Sequence, residues 1–288
     1  SVVLWGKFLW RRCGSLAFWE FCSMDCIGKH NPLVKEALAL KRSRCRKSSW
    51  FLVEGAREIQ KALRTGYLCQ HVFCSTHLSE KEKEFLYELK RNSTKILYCL
   101  DSTLAQLSFK EHHDSFVAVI QKRVWNKEDF LIQRKNAQPF YLIIEQVEKP
   151  GNVGAILRIA DGAGVDGVIL CNPIVDLYNP NVVRSSLGAV FSLPILSISR
   201  EEGKELFKQE GWTVFVTSPR AETMYFSKNY LGPTALVFGS EKDGLTEDWF
   251  SEDFSEIALP MLGESDSLNL ATSVAAVAYE VVRQRWVN

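Results

Sequence analysis

The period of the apolar positions changes along this chain, and each change marks an element. Leu33, Ala37, Leu38 and Leu40 recur at helical spacing behind Asn31, a helix-capping type, and Pro32, which suits a first helical position. A helix is therefore predicted over NPLVKEALALKRSR. Continuous apolar runs then alternate with amphipathic ones. WFLVEG, QHVFCS, KILYCL and FVAVIQK read as strands. AREIQKALRTG, closed by Gly66, SEKEKEFLYELKRN, capped by Ser79, and DSTLAQLSF, capped by Asp101, read as helices. Together they predict a compact αβ module with no catalytic cluster, suited to binding or positioning.

RVWNKEDFLIQRKNAQP has mixed charge and ends in proline, so it reads as a linker with a turn or two of helix. After it the pattern turns to that of a doubly covered sheet. FYLIIEQV is apolar on both faces, as parallel strands are. VDGVIL, SLPILSI, WTVFVTS, TALVFGS and EIALPM follow, separated by helical stretches, which predicts a parallel sheet with right-handed crossovers. Pro260 inside the EIALPM run argues against a central ladder position. The chain thus divides into an extension (1–23), an αβ domain (24–122), a linker (123–139) and an α/β domain (140–288).

Composition narrows the class without naming a function. The chain has 288 residues, 46% hydrophobic and 24% charged, with a net charge of +1, so no bulk positive field announces a nucleic acid. A local basic run does exist, KRSRCRK at residues 41–47, which reads equally as an RNA-contacting edge or a solvated helix end. No CxxC pair occurs among the eight cysteines, and most lie in apolar runs. They read as buried, reduced thiols, and no metal site is expected. That places the protein in the cytoplasm, or in an organelle if the Trp-rich, basic residues 1–23 are a targeting remnant rather than a plain extension ahead of Met24. There is no apolar run of about 18 residues, so no membrane partner is expected. His112 and His113 read as an exposed turn.

Candidate chemistry lies where the C-terminal strands end. Gly151-Asn152-Val153-Gly154 opens a helix, but the spacing is GxxG rather than the GxGxxG of a dinucleotide site. Asn152 is placed to cap that helix. Arg158, among Ile156, Leu157 and Ile159, is costly there unless paired or used on an anion. Gly239 directly follows LVF and lets another group approach the backbone, and Glu241 is placed to orient a base or a loop. Gly239 to Gly244 has the size of a phosphate loop. Ser267 is placed to cap the final helix, whose face Ala271, Ala275 and Ala278 permits close packing.

In order and spacing these segments resemble the SpoU (TrmH-type) RNA 2′-O-ribose methyltransferases of the SPOUT superfamily. The first motif is similar to PGNVGAILRIADGAGVDGVIL, the second to LVFGSEKDGL and the third to IALPMLGESDSLNLATSVAAVAYE, with RSSLGAVFSLPI resembling the segment between the first two. The αβ pattern around FLVEGAREIQKAL resembles the family's ribosomal-protein-like substrate-binding domain. The resemblance implies a parallel-sheet domain with a C-terminal trefoil knot, S-adenosylmethionine as methyl donor, and an RNA substrate. Ribosomal RNA of the 23S type is favoured and tRNA is the alternative; a catalytically silent RNA-binding paralogue is the rival reading. It also implies a homodimer with its site near the two-fold interface. By motif position, the catalytic set falls on Arg158, Asn152 and Glu241. Cofactor contacts fall on Gly239, Leu259 and Leu268, with Met261 and Asn269 beside them and Thr217 as a weaker match. The pattern departs at Ser240, where Asn is common, at Lys242, where Gly is common, and at Leu259, where Ile is common. On this resemblance, residues 236–285 read as a knotted pocket for a methyl donor rather than a phosphate loop.

Overall fold

The structure is a computed structural model that describes residues 26–42 and 48–287. The 1–23 extension and most of the basic run lie outside the described residues.

The predicted alternation is present throughout. Helix α1 (Pro32–Arg42) starts as expected, with the Asn31 side chain accepting the Leu33 N–H at 2.9 Å. Strands β1 (Trp50–Glu54), β2 (Cys69–Ser75), β3 (Ile96–Cys99) and β4 (Phe116–Gln121) form a mixed sheet in the order β1-β4-β2-β3. Helices α2 (Ala56–Arg64), α3 (Glu80–Arg91) and α4 (Asp101–Leu107) connect them. One cap differs from expectation. Asp101 is the first residue of α4 rather than its cap, and its carboxylate accepts the Ser75 hydroxyl at 2.8 Å instead.

The linker stretch is tied down. Asn126 caps helix α5 (Lys127–Ile132) by accepting the Asp129 N–H at 2.7 Å, and Phe130 is fully buried against the second sheet. That sheet is parallel throughout. Its strands are β5 (Phe140–Glu145), β6 (Gly167–Cys171), β7 (Ile195–Ile198), β8 (Thr213–Thr217), β9 (Thr234–Phe238) and β10 (Ser255–Ile257), in the order β10-β8-β9-β5-β6-β7. Helices α6 (Pro150–Gly162), α7 (Pro180–Ser185), α8 (Ala189–Ser192), α9 (Arg200–Gln209) and α10 (Leu270–Val287) complete the domain. Alternation along β5 sorts its side chains. Phe140, Leu142 and Ile144 join the core beneath α6 and α10, whereas Tyr141 and Ile143 face the core beneath α9. β10 stops at Ile257, so Pro260 lies beyond the ladder. The chain then returns across the sheet, and α10 packs on α6 and β9.

The two domains share one core. Phe51 and Tyr67 of the first meet Tyr178 and Phe191 of the second, with ring centroids 4.4 Å apart for Phe51–Tyr178 and 5.1 Å for Tyr67–Phe191. The Tyr178 hydroxyl accepts the Arg123 N–H at 2.9 Å and donates to the Arg123 carbonyl at 2.8 Å. Lys122 and Asp176, both largely buried, pair at 3.1 Å. The N-terminal domain is therefore held against the sheet domain by packed aromatics and satisfied polar groups.

Candidate functional site

Three segments that are far apart in sequence meet beyond the C-terminal ends of β5 and β9, where parallel sheets place their ligands. The first is the opening turn of α6. Pro150 sits at its first position and lacks the N–H that would otherwise need a cap. Asn152 therefore does not cap the helix, contrary to expectation, because it lies inside the first turn. Its side-chain N–H donates to Glu241 at 2.6 Å, and its carbonyl oxygen accepts from the Asn269 amide at 3.3 Å. Two hydrogen bonds that meet at Asn152 thus join the first, second and third motifs, with Asn152, Glu241 and Asn269 as the corners of a triangle. Gly154 serves packing rather than a ligand. A Cβ there would lie 1.9 Å from the Ser185 hydroxyl and 2.8 Å from the Ser186 nitrogen, so the glycine lets α6 close on α7.

The second segment is the turn after β9. Ser240 and Gly244 exchange both backbone hydrogen bonds, at 3.0 and 3.2 Å, and the Ser240 hydroxyl accepts the Asp243 N–H at 3.1 Å. Ser240, a departure from the family pattern, thus closes its own turn, and Lys242 is exposed. A Cβ at Gly239 would lie 2.2 Å from the Gly244 backbone, so the turn folds back where only glycine fits. Glu241 is the tie to α6. Burial raises its carboxyl, but the Glu148 N–H at 3.1 Å, the Asn152 amide and the Lys149 N–H at 3.4 Å outweigh that and hold its pKa below the ordinary value. A carboxylate so occupied orients its neighbours; it is a poor proton acceptor.

The third segment runs from Ala258 to Asn269. Between them the backbone enters neither strand nor helix, and the side chains from Leu262 to Asn269 are exposed. Leu259 and Met261 are half-buried, and Leu268 is 44% exposed. Asn269, not Ser267, caps α10: its side-chain oxygen accepts the Ala271 N–H at 3.0 Å, and the helix starts only at Leu270. Thr217 ends β8 with its hydroxyl donating to the Val237 carbonyl at 2.9 Å.

Arg158 stands apart from the triangle. It lies six residues beyond Asn152 on α6, about 9 Å along the axis and a third of a turn round. α6 buries Val153, Ile156, Leu157 and Ala160, and Arg158 points away from that stripe, exposed. The expected cost of a buried arginine therefore does not arise. Arg158 lines an open groove with Ala155, Ile159, Ser185 and Tyr279. Ser185 and Tyr279 were not foreseen from sequence, and nothing in their local pattern marks them. Glu145 was also missed, although it ends an otherwise uncharged strand; it is buried and meets Trp249 and Arg200. Among the described residues no group of three or more His, Cys, Asp or Glu is placed to hold a metal ion. No helix among them is long and apolar enough to cross a membrane.

Comparison with known proteins finds two family models on this chain. The SpoU rRNA methylase family model matches residues 139–279, and the MRM3-like substrate binding domain model matches residues 31–118. An uncharacterized tRNA/rRNA methyltransferase of Synechocystis is 30% identical over 89% of this chain and 92% of its own length. The 23S rRNA (uridine(2479)-2′-O)-methyltransferase of Streptomyces viridochromogenes is 29% identical over 87% of this chain and 88% of its own. A crystal structure of an RNA 2′-O ribose methyltransferase superposes with a TM-score of 0.76 at 32% identity, covering 91% of this chain and all of that one. AviRb of Streptomyces viridochromogenes, a SpoU methyltransferase solved in complex with AdoMet, superposes with a TM-score of 0.78 at 27% identity, over 90% and 100%. The chain belongs to the SpoU rRNA methylase family of S-adenosylmethionine-dependent RNA 2′-O-ribose methyltransferases.

Proposed function

We propose that this protein methylates a ribose 2′-hydroxyl in ribosomal RNA of the 23S type, as a homodimer, with its donor held in a trefoil-knotted pocket between the second and third motifs. The observation that carries the reading is the Asn152–Glu241–Asn269 triangle, which unites three motifs beyond the ends of two central strands. The return of the chain from β10 to α10 supports the knot. The packed N-terminal domain, whose model matches a substrate-binding domain, supports a large RNA.

The pocket suits a donor gripped by backbone. Gly239, with no Cβ, lets the turn close on the Gly244 backbone, and residues 259–269 keep their backbone outside any ladder. Gly239, Leu259, Met261 and Leu268 would hold S-adenosylmethionine there, with Asn269 beside them and Thr217 at the edge. The bound donor supplies an electrophilic sulfonium methyl. What remains for the protein is to align the ribose hydroxyl and to let its proton leave. All five histidines precede β4, so the sheet domain offers no imidazole. Glu241 is occupied by three donors. Guanidinium groups keep their proton at physiological pH, so Arg158 acts by binding the phosphate next to the target ribose, and that phosphate or a water accepts the proton.

The separation of Arg158 from Asn152 favours a composite site. The Arg158 groove, framed by α6, α7 and the half-exposed Tyr279 of α10, faces a second copy, and Arg158 serves the pocket of the partner subunit. Methyl-labelled S-adenosylmethionine should transfer label to unmodified 23S-type RNA, recovered as alkali-resistant dinucleotides. Label confined to tRNA would overturn the substrate assignment, and no label on either RNA would favour the silent paralogue.

A further inference from the structure

Glu145 is a charged residue in a place that disfavours charge. It ends the central strand β5 on the face beneath α9, is 1% exposed, and burial raises its carboxyl above the ordinary value against the pull of Trp249, Arg200 and Lys204. One carboxylate oxygen accepts the indole N–H of Trp249, itself fully buried. The other lies 3.2 Å from Arg200 Nε, and neither of those two atoms has a hydrogen-bond partner. Arg200 is the first residue of α9, where a helix dipole repels a cation, so α9 itself gains nothing from the charge there. Its other contacts outside α9 are the Thr246 hydroxyl and the Asp248 carboxylate. Lys204 adds a hydrogen bond to the Asp248 carbonyl and sits 5.4 Å over the Trp249 ring.

All these contacts converge on residues 246–249, which are the downstream anchor of the turn that carries Glu241. Upstream, that turn is fixed by β9 and by the close approach of Gly239 to Gly244. Four residues separate Glu241 from Thr246, too few to absorb a shift of the anchor. We propose that Glu145, Arg200 and Trp249 are positioning residues that set the Glu241 turn, and through it Asn152, from the opposite face of the sheet. The inference rests on the methyl-transfer reading for its catalytic consequence but not for its structural one.

The test is a double-mutant cycle of Glu145→Gln and Glu241→Gln in single-turnover methyl transfer, with hydrogen exchange on the same proteins. Glu145→Gln keeps shape and an acceptor for the indole but removes the charge facing Arg200. It should lower the transfer rate about tenfold or more in the wild-type background. In the Glu241→Gln background the loss should shrink to about twofold or less, because the second change then acts on a turn already released. Equal losses in both backgrounds, or no loss, would overturn the proposal. Exchange at the Glu148 and Gly244 amides should quicken about tenfold in Glu145→Gln while the β5 amides stay unchanged. A uniform acceleration means a merely structural role and overturns it. If Glu145→Gln fails to fold, Arg200→Lys and Trp249→Phe run the same cycle, with Arg200→Lys expected to retain most of the rate. If the wild-type protein transfers no methyl group, the functional reading fails, and the exchange result still decides the positioning claim.

Discussion

Two segments that follow strands of one sheet, 239–249 and 258–269, carry the second and third motifs and are built in opposite ways. The first is pinned from every side: both ends of its turn are hydrogen-bonded, Glu241 reaches three donors on α6 and the chain before it, and Trp249 is buried under α9. The second has neither strand nor helix, exposes Leu262 at 96% and Leu268 at 44%, and is fixed chiefly at its two ends. A site that must fix a catalytic geometry yet admit a large donor needs both kinds of chain. The pinned turn is pre-organised, so its geometry costs nothing at the moment of reaction. On the function proposed above, the open segment would gain its order on closing over the donor.

Changes to the pinned turn should be severe and those to the open segment mild. Glu241→Gln should lower kcat by about 10²-fold or more, since three donors lose their charged acceptor and Asn152 its orientation. A steady-state assay showing a change within about threefold would break the contrast at its strongest point. Gly239→Ala comes next. Its Cβ would lie 2.2 Å from backbone, so the turn must open, and S-adenosylhomocysteine affinity by calorimetry should fall about tenfold. Unchanged affinity would show that the close approach is not part of the pocket.

Hydrogen exchange sharpens the same comparison without mutation. Saturating S-adenosylhomocysteine should slow the amides of residues 259–268 about tenfold while those of 240–246 change by about twofold or less. The reverse pattern would assign the closing role to the wrong segment. An acid titration asks how far the pin depends on charge. Glu241 has a folded-state pKa below the ordinary carboxylate value, so its stabilisation is present above the unfolded-state pKa and is lost as pH falls through the folded-state one. Protection of the Glu148 amide should therefore persist at neutral pH and disappear in acid, and protection that is flat through that fall would contradict the role given to the carboxylate. The smallest effect is expected from Leu262→Ser, at 96% exposure: a change within about 0.5 kcal/mol in a denaturant titration.

Much of this architecture was legible in the sequence because it rests on period and punctuation. The unbroken apolar run at 140–144 foretells a strand covered on both faces, and Pro260, which argues against a central ladder position, does lie outside the ladder. The triangle of Asn152, Glu241 and Asn269 was legible through family resemblance, but the bonds within it were not. Asn152 looks like a cap, yet the helix already starts at Pro150, so Asn152 lies inside the first turn and its side-chain N–H donates to Glu241. Ser267 looks like a cap too, yet the helix begins three residues later at Leu270, behind Asn269. Both errors have one cause: side-chain capping is decided by where the first hydrogen-bonded turn falls, which sequence fixes only to within a residue or two. Arg158 looked costly because its sequence neighbours are apolar, and helical rotation carries it to the exposed face. The Glu145–Arg200–Trp249 cluster joins a strand, a helix and a loop across some hundred residues, and no local pattern announces such a meeting.

Arg158→Lys tests the central claim most directly, with S-adenosylhomocysteine affinity and methyl transfer to unmodified 23S-type RNA measured on one preparation. Lysine keeps the charge and loses the planar fork that grips a phosphate. Because Arg158 stands apart from the triangle, donor affinity should stay within about twofold, while transfer falls by about 10²-fold or more. Transfer at the wild-type rate would contradict the account, and so would a loss of donor affinity matching the loss of rate.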